Sequence, residues 1–173
     1  EFAFGLAHIV AGWLHVGQML SPEKIAALQE DDAREVAFQR AVKFLSYRPR
    51  SENEIRLHLQ KHATPEPILT ATLEKLRTSG LLDDQQFAET WVENRNTFRP
   101  RGARALRMEL KQKGLADRVI AQALEGLDEF PLALQAAEKQ AAKLRGLDET
   151  ARKQKLYGFL ARRAFSYETI AED

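Results

Sequence analysis

Tyr47-Arg48-Pro49-Arg50-Ser51 returns 51 residues later as Phe98-Arg99-Pro100-Arg101-Gly102, and the apolar spacing that follows each copy is the same. Ile55, Leu59, Leu69, Leu73 and Leu76 follow the first copy; Leu106, Leu110, Ile120, Leu124 and Leu127 follow the second at the same offset. Self-similarity at a fixed period of this size marks a repeat protein. A third, degenerate copy begins 50 residues further on, with Leu156, Leu160 and Ile170 in the places of Leu106, Leu110 and Ile120. It keeps the core positions and lacks the arginine loop.

Each repeat reads as three helices. Phe38, Ala41, Val42 and Leu45 sit at i, i+3, i+4 and i+7, which predicts a helix over about 32–46 with one apolar stripe. Pro49 follows its end. Ser51 with Glu54 is a capping box for the next helix, because the serine hydroxyl and the glutamate carboxylate each satisfy an orphan N–H. Thr64-Pro65 starts a third helix and Gly80 stops it. The second repeat starts at Asp83-Asp84, buries Phe87, Trp91 and Val92, and has Gly102 and Gly114 bracketing its middle helix. In the third, Leu134, Ala137, Ala141 and Leu144 are expected to share the buried face, and Ser166 to cap a last helix from Tyr167. The expected division is 32–80, 81–127 and 128–173, all mainly α, after an extension over 1–31. In that extension Phe2, Phe4 and Leu6 alternate as in a short strand, and Ser21-Pro22-Glu23 opens a helix through Leu28. A lone strand cannot satisfy its own backbone, so a truncated hairpin is expected there, the chain not beginning with methionine.

The net charge is only +1, yet residues 1–32 hold one cation, Lys24, against Glu1, Glu23, Glu30, Asp31 and Asp32, which leaves +5 on the rest. Arg99, Arg101, Arg104, Arg107, Lys111, Lys113 and Arg118 face Glu109 and Asp117 within 99–118. Lys143, Arg145, Arg152, Lys153, Lys155, Arg162 and Arg163 face Asp148 and Glu149 within 143–163. Two basic surfaces are expected. With no cysteine there is neither a disulfide framework nor a thiolate metal site, which suits a reducing cytoplasm. The longest apolar run, Ile9 to Leu14, is too short for a bilayer, so no membrane anchor is expected.

On the helix after Gly102, Arg104, Arg107 and Lys111 fall within about 60° of one another, opposite Ala103, Leu106 and Leu110. Such a ridge accepts a phosphate backbone or an acidic strip of a partner without reading a base, and serves equally as a plain solvated face. The Arg48/Arg50 and Arg99/Arg101 pairs sit on proline-stiffened turns, either as pre-ordered forks for carboxylate or phosphate or as charges favouring the helix ends before them. The remaining candidate contacts are Lys113, Arg152, Lys153, Lys155, Arg162 and Arg163. Asp83 and Asp84 read as caps, and His58 and His62 have zinc-helix spacing without an evident third ligand. Phe87, Trp91, Phe159 and Phe165 read as core. There is no phosphate-binding glycine loop and no nucleophile with a neighbouring base, so no metal, cofactor or catalytic residue is expected.

Gly80-Leu81-Leu82-Asp83-Asp84-Gln85-Gln86-Phe87-Ala88, then Val92 and Arg95, carry a resemblance to a known family. So do Arg101-Gly102-Ala103-Arg104, Glu109-Leu110-Lys111-Gln112-Lys113-Gly114 and Phe159-Leu160-Ala161-Arg162-Arg163-Ala164-Phe165-Ser166. Over residues 35–173 the chain resembles the RecX family of bacterial recombination regulators, and Gly5, Val16-Gly17-Gln18 and Leu20-Ser21 are similar to an extension that some members carry. It departs at Ala164, where the family usually has glycine; a positive φ there would strain the turn by about 1 kcal/mol. The resemblance implies tandem three-helix repeats in an elongated, curved array. It implies binding to the RecA filament on single-stranded DNA; double-stranded DNA as a further backbone partner, and a monomeric state, are expected beside it. It also implies inhibition of RecA ATP hydrolysis, strand exchange and co-protease activity, and no active site. A sequence-nonspecific DNA-binding module of helix-turn-helix type is the competing reading, and the lack of an Asn near Arg104, Arg107 and Lys111 favours backbone contact over base readout.

Overall fold

The computed structural model describes residues 5–6, 8–12 and 14–171, and the described residues form helices without a strand. The alternating stretch read as a strand lies mostly outside the described residues; Gly5 and Leu6 carry no regular structure, and α1 (His8–Ala11) is a single turn. The chain divides into two compact units, Glu1–Asp83 and Asp84–Asp173.

In the first unit, α2 (Pro22–Leu45) is one helix of 24 residues, where the sequence reading has a helix to Leu28 and another from about residue 32. Gln29-Glu30-Asp31-Asp32 contains no glycine or proline to break the backbone ladder, and Arg34 pairs with Glu30 one turn away. Ser21 caps the helix by accepting from the Lys24 N–H, with Pro22 in the first turn. The most deeply buried positions of α2 are Ala37 and Ala41; Phe38, Val42 and Leu45 flank them half-buried. Small residues at that line let α2 pack against α4 (Glu66–Thr78). The capping box forms as expected at α3 (Glu52–Lys61): Ser51 Oγ accepts from the Glu54 N–H and Glu54 Oε2 accepts from the Ser51 N–H, both at 3.3 Å. Ile55, Leu59, Leu69, Leu73 and Leu76 meet Ala37, Ala41 and Leu82 in the core.

The second unit contains α5 (Asp84–Phe98), α6 (Ala103–Gln112) and α7 (Asp117–Ala123), followed by α8 (Glu129–Ala141), a 3-10 turn over Ala142–Leu144, α9 (Glu149–Arg162) and α10 (Tyr167–Ala171). It has two cores. Leu106, Leu110, Ile120 and Leu124 pack with Phe87, Ala88, Val92 and Leu115, so the register read between the first two repeats places buried residues at four of its five positions, while Leu127, the counterpart of fully buried Leu76, flanks the core half-buried. Ala133, Ala136, Ala137, Leu160 and Phe165 form the third core, with Leu132, Phe159 and Ile170 against it. The buried stripe of α8 is therefore not the one through Leu134, which is 40% exposed. Alanines at i, i+3 and i+4 admit α9 closely, and a periodicity weighted toward leucine mistakes the face.

The backbone repeats too. Ala63, Gly114 and Ala164 follow the middle helix of each repeat at matching positions, and all three are left-handed, with φ of 54°, 79° and 59°. Only Gly114 adopts that conformation without a Cβ penalty. The positive φ at Ala164 makes the glycine expected there the less strained choice.

Candidate partner and nucleic-acid interface

The two arginine loops, which the sequence presents as open forks, are largely committed to the fold. Arg48 grips Glu54 with both terminal nitrogens, at 2.8 and 3.2 Å, and donates to the Pro49 carbonyl at 2.9 Å. Arg48 thus holds the same carboxylate that closes the capping box. Arg50 lies over the Phe44 ring, 3.9 Å from its centroid, while His58 stacks on Phe44 at 3.9 Å and 4°. Burial, then Arg48, push the Arg50 guanidinium down from its ordinary value, against the pull of Glu54.

In the second loop Arg101 pairs with Glu109 at 2.8 Å. Glu109 also accepts from Trp91 Nε1 and Arg95 Nε, each at 2.7 Å, while the Arg95 and Lys113 cations lie over the indole at 4.8 and 5.0 Å. One half-buried carboxylate thereby neutralises the inner part of a basic cluster. Trp91, expected wholly in the core, is half-buried at its edge with its N–H satisfied. Arg163 is structural as well: it donates to the Pro100 carbonyl at 2.8 Å and lies over Phe159 at 4.5 Å. Burial, then Arg101 and Arg99, push it down from its ordinary value.

This joint between the second and third repeats depends on Gly102. Its N–H donates to the Arg163 carbonyl at 3.0 Å, and a Cβ on it would lie 2.0 Å from the Ala164 carbonyl oxygen. Glu129 ties the same place from the other side, accepting from the Ala103 N–H at 2.6 Å and the Ser166 N–H at 3.0 Å. The glycine that opens α6 thus positions both the Arg101 loop and the start of the basic ridge.

Arg104 and Arg107 are exposed and form no ion pair among the described residues. Lys111 shares their side of α6 and pairs with exposed Asp117 at 3.0 Å, a contact that water and salt screen strongly. Arg99, Arg152, Lys155 and Arg162 are exposed without an ion pair among the described residues, and Lys153 pairs with Glu149 at 3.2 Å along α9. Among the candidate contacts, those available to an outside anion are therefore Arg99, Arg104, Arg107, Arg152, Lys155 and Arg162, together with the weakly held Lys111 and Lys153. The other candidates, Arg48, Arg50, Arg101, Lys113 and Arg163, are engaged within the fold and shape the loops. Sequence reasoning missed two features: Glu109 as the shared partner of Trp91, Arg95 and Arg101, and the exposed pair Tyr157 and Tyr167 beside Arg104. The tyrosines were legible in the register, since they fall where the second repeat has Arg107 and Asp117.

No group of three or more potential metal ligands occurs among the described residues, and none of their helices is long and apolar enough to cross a membrane. What remains is a helical protein of tandem three-helix repeats whose exposed side chains present cations from α6 and α9. Known proteins share the repeat fold. Residues 37–76, 83–124 and 128–172 match, in order, the first, second and third three-helix domains of RecX. Regulatory protein RecX of Chlorobium phaeobacteroides is 40% identical over 136 residues, covering 79% of this chain and 89% of the relative. That of Prosthecochloris aestuarii is 35% identical over 145 residues, covering 84% and 95%. A crystal structure of regulatory protein RecX superposes on the whole chain and 89% of its own, at 31% identity and a TM-score of 0.77. RecX from Lactobacillus salivarius shares the fold at 23% identity and a TM-score of 0.72, covering 81% of this chain and 93% of its own. The chain belongs to the RecX family.

Proposed function

We propose that this protein binds RecA filaments assembled on single-stranded DNA and inhibits RecA ATP hydrolysis, strand exchange and co-protease activity, so modulating recombination and the SOS response. It acts as a monomer in the cytoplasm, through repeats spanning 32–80, 81–127 and 128–173. The observation that carries the reading is the presence of all three RecX three-helix domains in order, in a chain whose relatives are named regulatory proteins. The exposed arginines of α6 support a contact with phosphate or with an acidic strip of the partner, since neither demands base recognition. Tandem units that each add a modest contact give useful avidity on a polymeric target.

Those arginines also favour a second reading, a DNA-binding module that acts without RecA. Charge reversal at Arg104, Arg107 and Lys111 separates the two. Under the leading reading the triple glutamate variant loses much of its affinity for bare DNA and retains part of its inhibition of RecA through the other repeats. Equal loss of both would favour the DNA-binding module.

A further inference from the structure

One pair of surface positions changes chemistry along the repeats. In the first repeat Arg56 and Glu66 form an ion pair at 2.9 Å. Their counterparts in the second, 51 residues on, are the exposed Arg107 and Asp117. In the third they are Tyr157 and Tyr167, whose rings meet edge to face with centroids 6.5 Å apart while remaining 46% and 71% exposed. The third core closes on Leu160 and Phe165 without either tyrosine, so packing does not account for the exchange.

Both tyrosines line a groove of about 580 Å³ together with Met108, Arg104, Ala161 and Ile170. Met108 is 56% exposed, Arg104 lies one turn before it on the same face of α6, and Arg107 stands one turn from Arg104 on its other side. Glu129, the carboxylate of the groove, has both oxygens occupied by backbone N–H groups. The groove therefore combines exposed aromatic surface with neighbouring cations.

We infer that this groove takes an unstacked base of a single nucleic-acid strand, with Tyr157 and Tyr167 as the stacking platform and Arg104 and Arg107 on the adjoining phosphates. Aromatic platforms beside a basic track suit single strands because every base offers a flat π-face. A duplex keeps its bases stacked and would use only the arginines. An acidic protein strip would likewise use the arginines and leave the tyrosine rings without a flat partner. The inference rests on the nucleic-acid contact proposed above and adds its location and the state of the strand.

The test compares fluorescence anisotropy of an oligothymidylate of about 15 nucleotides, the size range of a basic stacking groove, with an abasic strand of equal length. The wild type binds the base-containing strand about tenfold or more tightly. The double variant Tyr157→Ala/Tyr167→Ala loses that preference with its salt slope unchanged, and Tyr157→Phe/Tyr167→Phe keeps it. Arg104→Ala/Arg107→Ala instead flattens the salt slope by about 1.4, two phosphates' worth. Thermal unfolding checks that each variant is folded. A preference that survives in the alanine pair, or is absent from the wild type, overturns the base site. So does loss of RecA inhibition by the alanine pair with its strand preference intact, which would assign the groove to protein. Inhibition of RecA by the wild type tests the regulatory reading separately, whatever the tyrosine variants do.

Discussion

Replacing Gly102 with alanine puts a methyl group where the third repeat's backbone already lies. The new Cβ would sit 2.0 Å from the Ala164 oxygen, 2.5 Å from its carbonyl carbon and 2.7 Å from the Phe165 nitrogen. None of these atoms can rotate aside, so the two segments must separate. Separation breaks the Gly102 to Arg163 backbone bond and the Arg163 to Pro100 bond, and loosens the Glu129 bridge to Ala103 and Ser166. Overpacking costs about 1–3 kcal/mol and each lost hydrogen bond about 1, more when charged. The stiffer unfolded chain returns about 0.4–1. The sum is a destabilisation of about 3 kcal/mol, confined to the second unit. Urea unfolding followed by Trp91 fluorescence in a Trp13→Phe background reads it as a fall in midpoint of about 2 M. Gly146 is the control: a Cβ there would meet nothing within 4 Å and its φ is not left-handed, so Gly146→Ala stays within about 0.5 kcal/mol of the parent. Equal midpoints for Gly102→Ala and Gly146→Ala would refute the close approach and the interlock built on it.

Other expectations follow from the same contacts. Ala63→Gly and Ala164→Gly should each stabilise by about 0.5–1 kcal/mol, the relief of left-handed strain less the added freedom of the unfolded chain, and the two should add. His58 is held below its ordinary value of 6.5, first by burial and then by His62, Arg40, Arg50 and Lys61. The unfolded chain therefore binds the proton more readily, so the stability from neutral His58 is present above about pH 6.5 and is lost as pH falls toward the folded value. His58→Phe keeps the stack on Phe44 and should flatten that part of the stability profile, as urea titrations from pH 7 to 5 would show. Glu109→Gln should cost about 1–3 kcal/mol in thermal or urea unfolding, because Arg95 and Arg101 lose their shared anion.

The register was legible because each repeat must refill the same buried positions. Ile55 and Leu106, Leu59 and Leu110, Leu69 and Ile120 are all fully buried, and a core leaves little choice but a large aliphatic there. The capping box was legible because its chemistry is local. Partner choice by long side chains was not. Arg48 and Arg50 look alike beside Pro49, yet one closes on Glu54 and the other lies on Phe44, a ring that only the folded chain brings near. The continuity of α2 was obscured because acidic residues resemble a helix start when the preceding turn is already helical. The alanine face of α8 was missed because burial there depends on how closely α9 approaches.

The most direct measurement is the rate of ATP hydrolysis by RecA on single-stranded DNA as this protein is titrated in at fixed magnesium and salt. Inhibition is expected at amounts well below one molecule per RecA subunit, since a regulator acting on the filament needs only a few sites along it. An unchanged rate in excess protein, alongside binding to bare DNA, would contradict action on the filament.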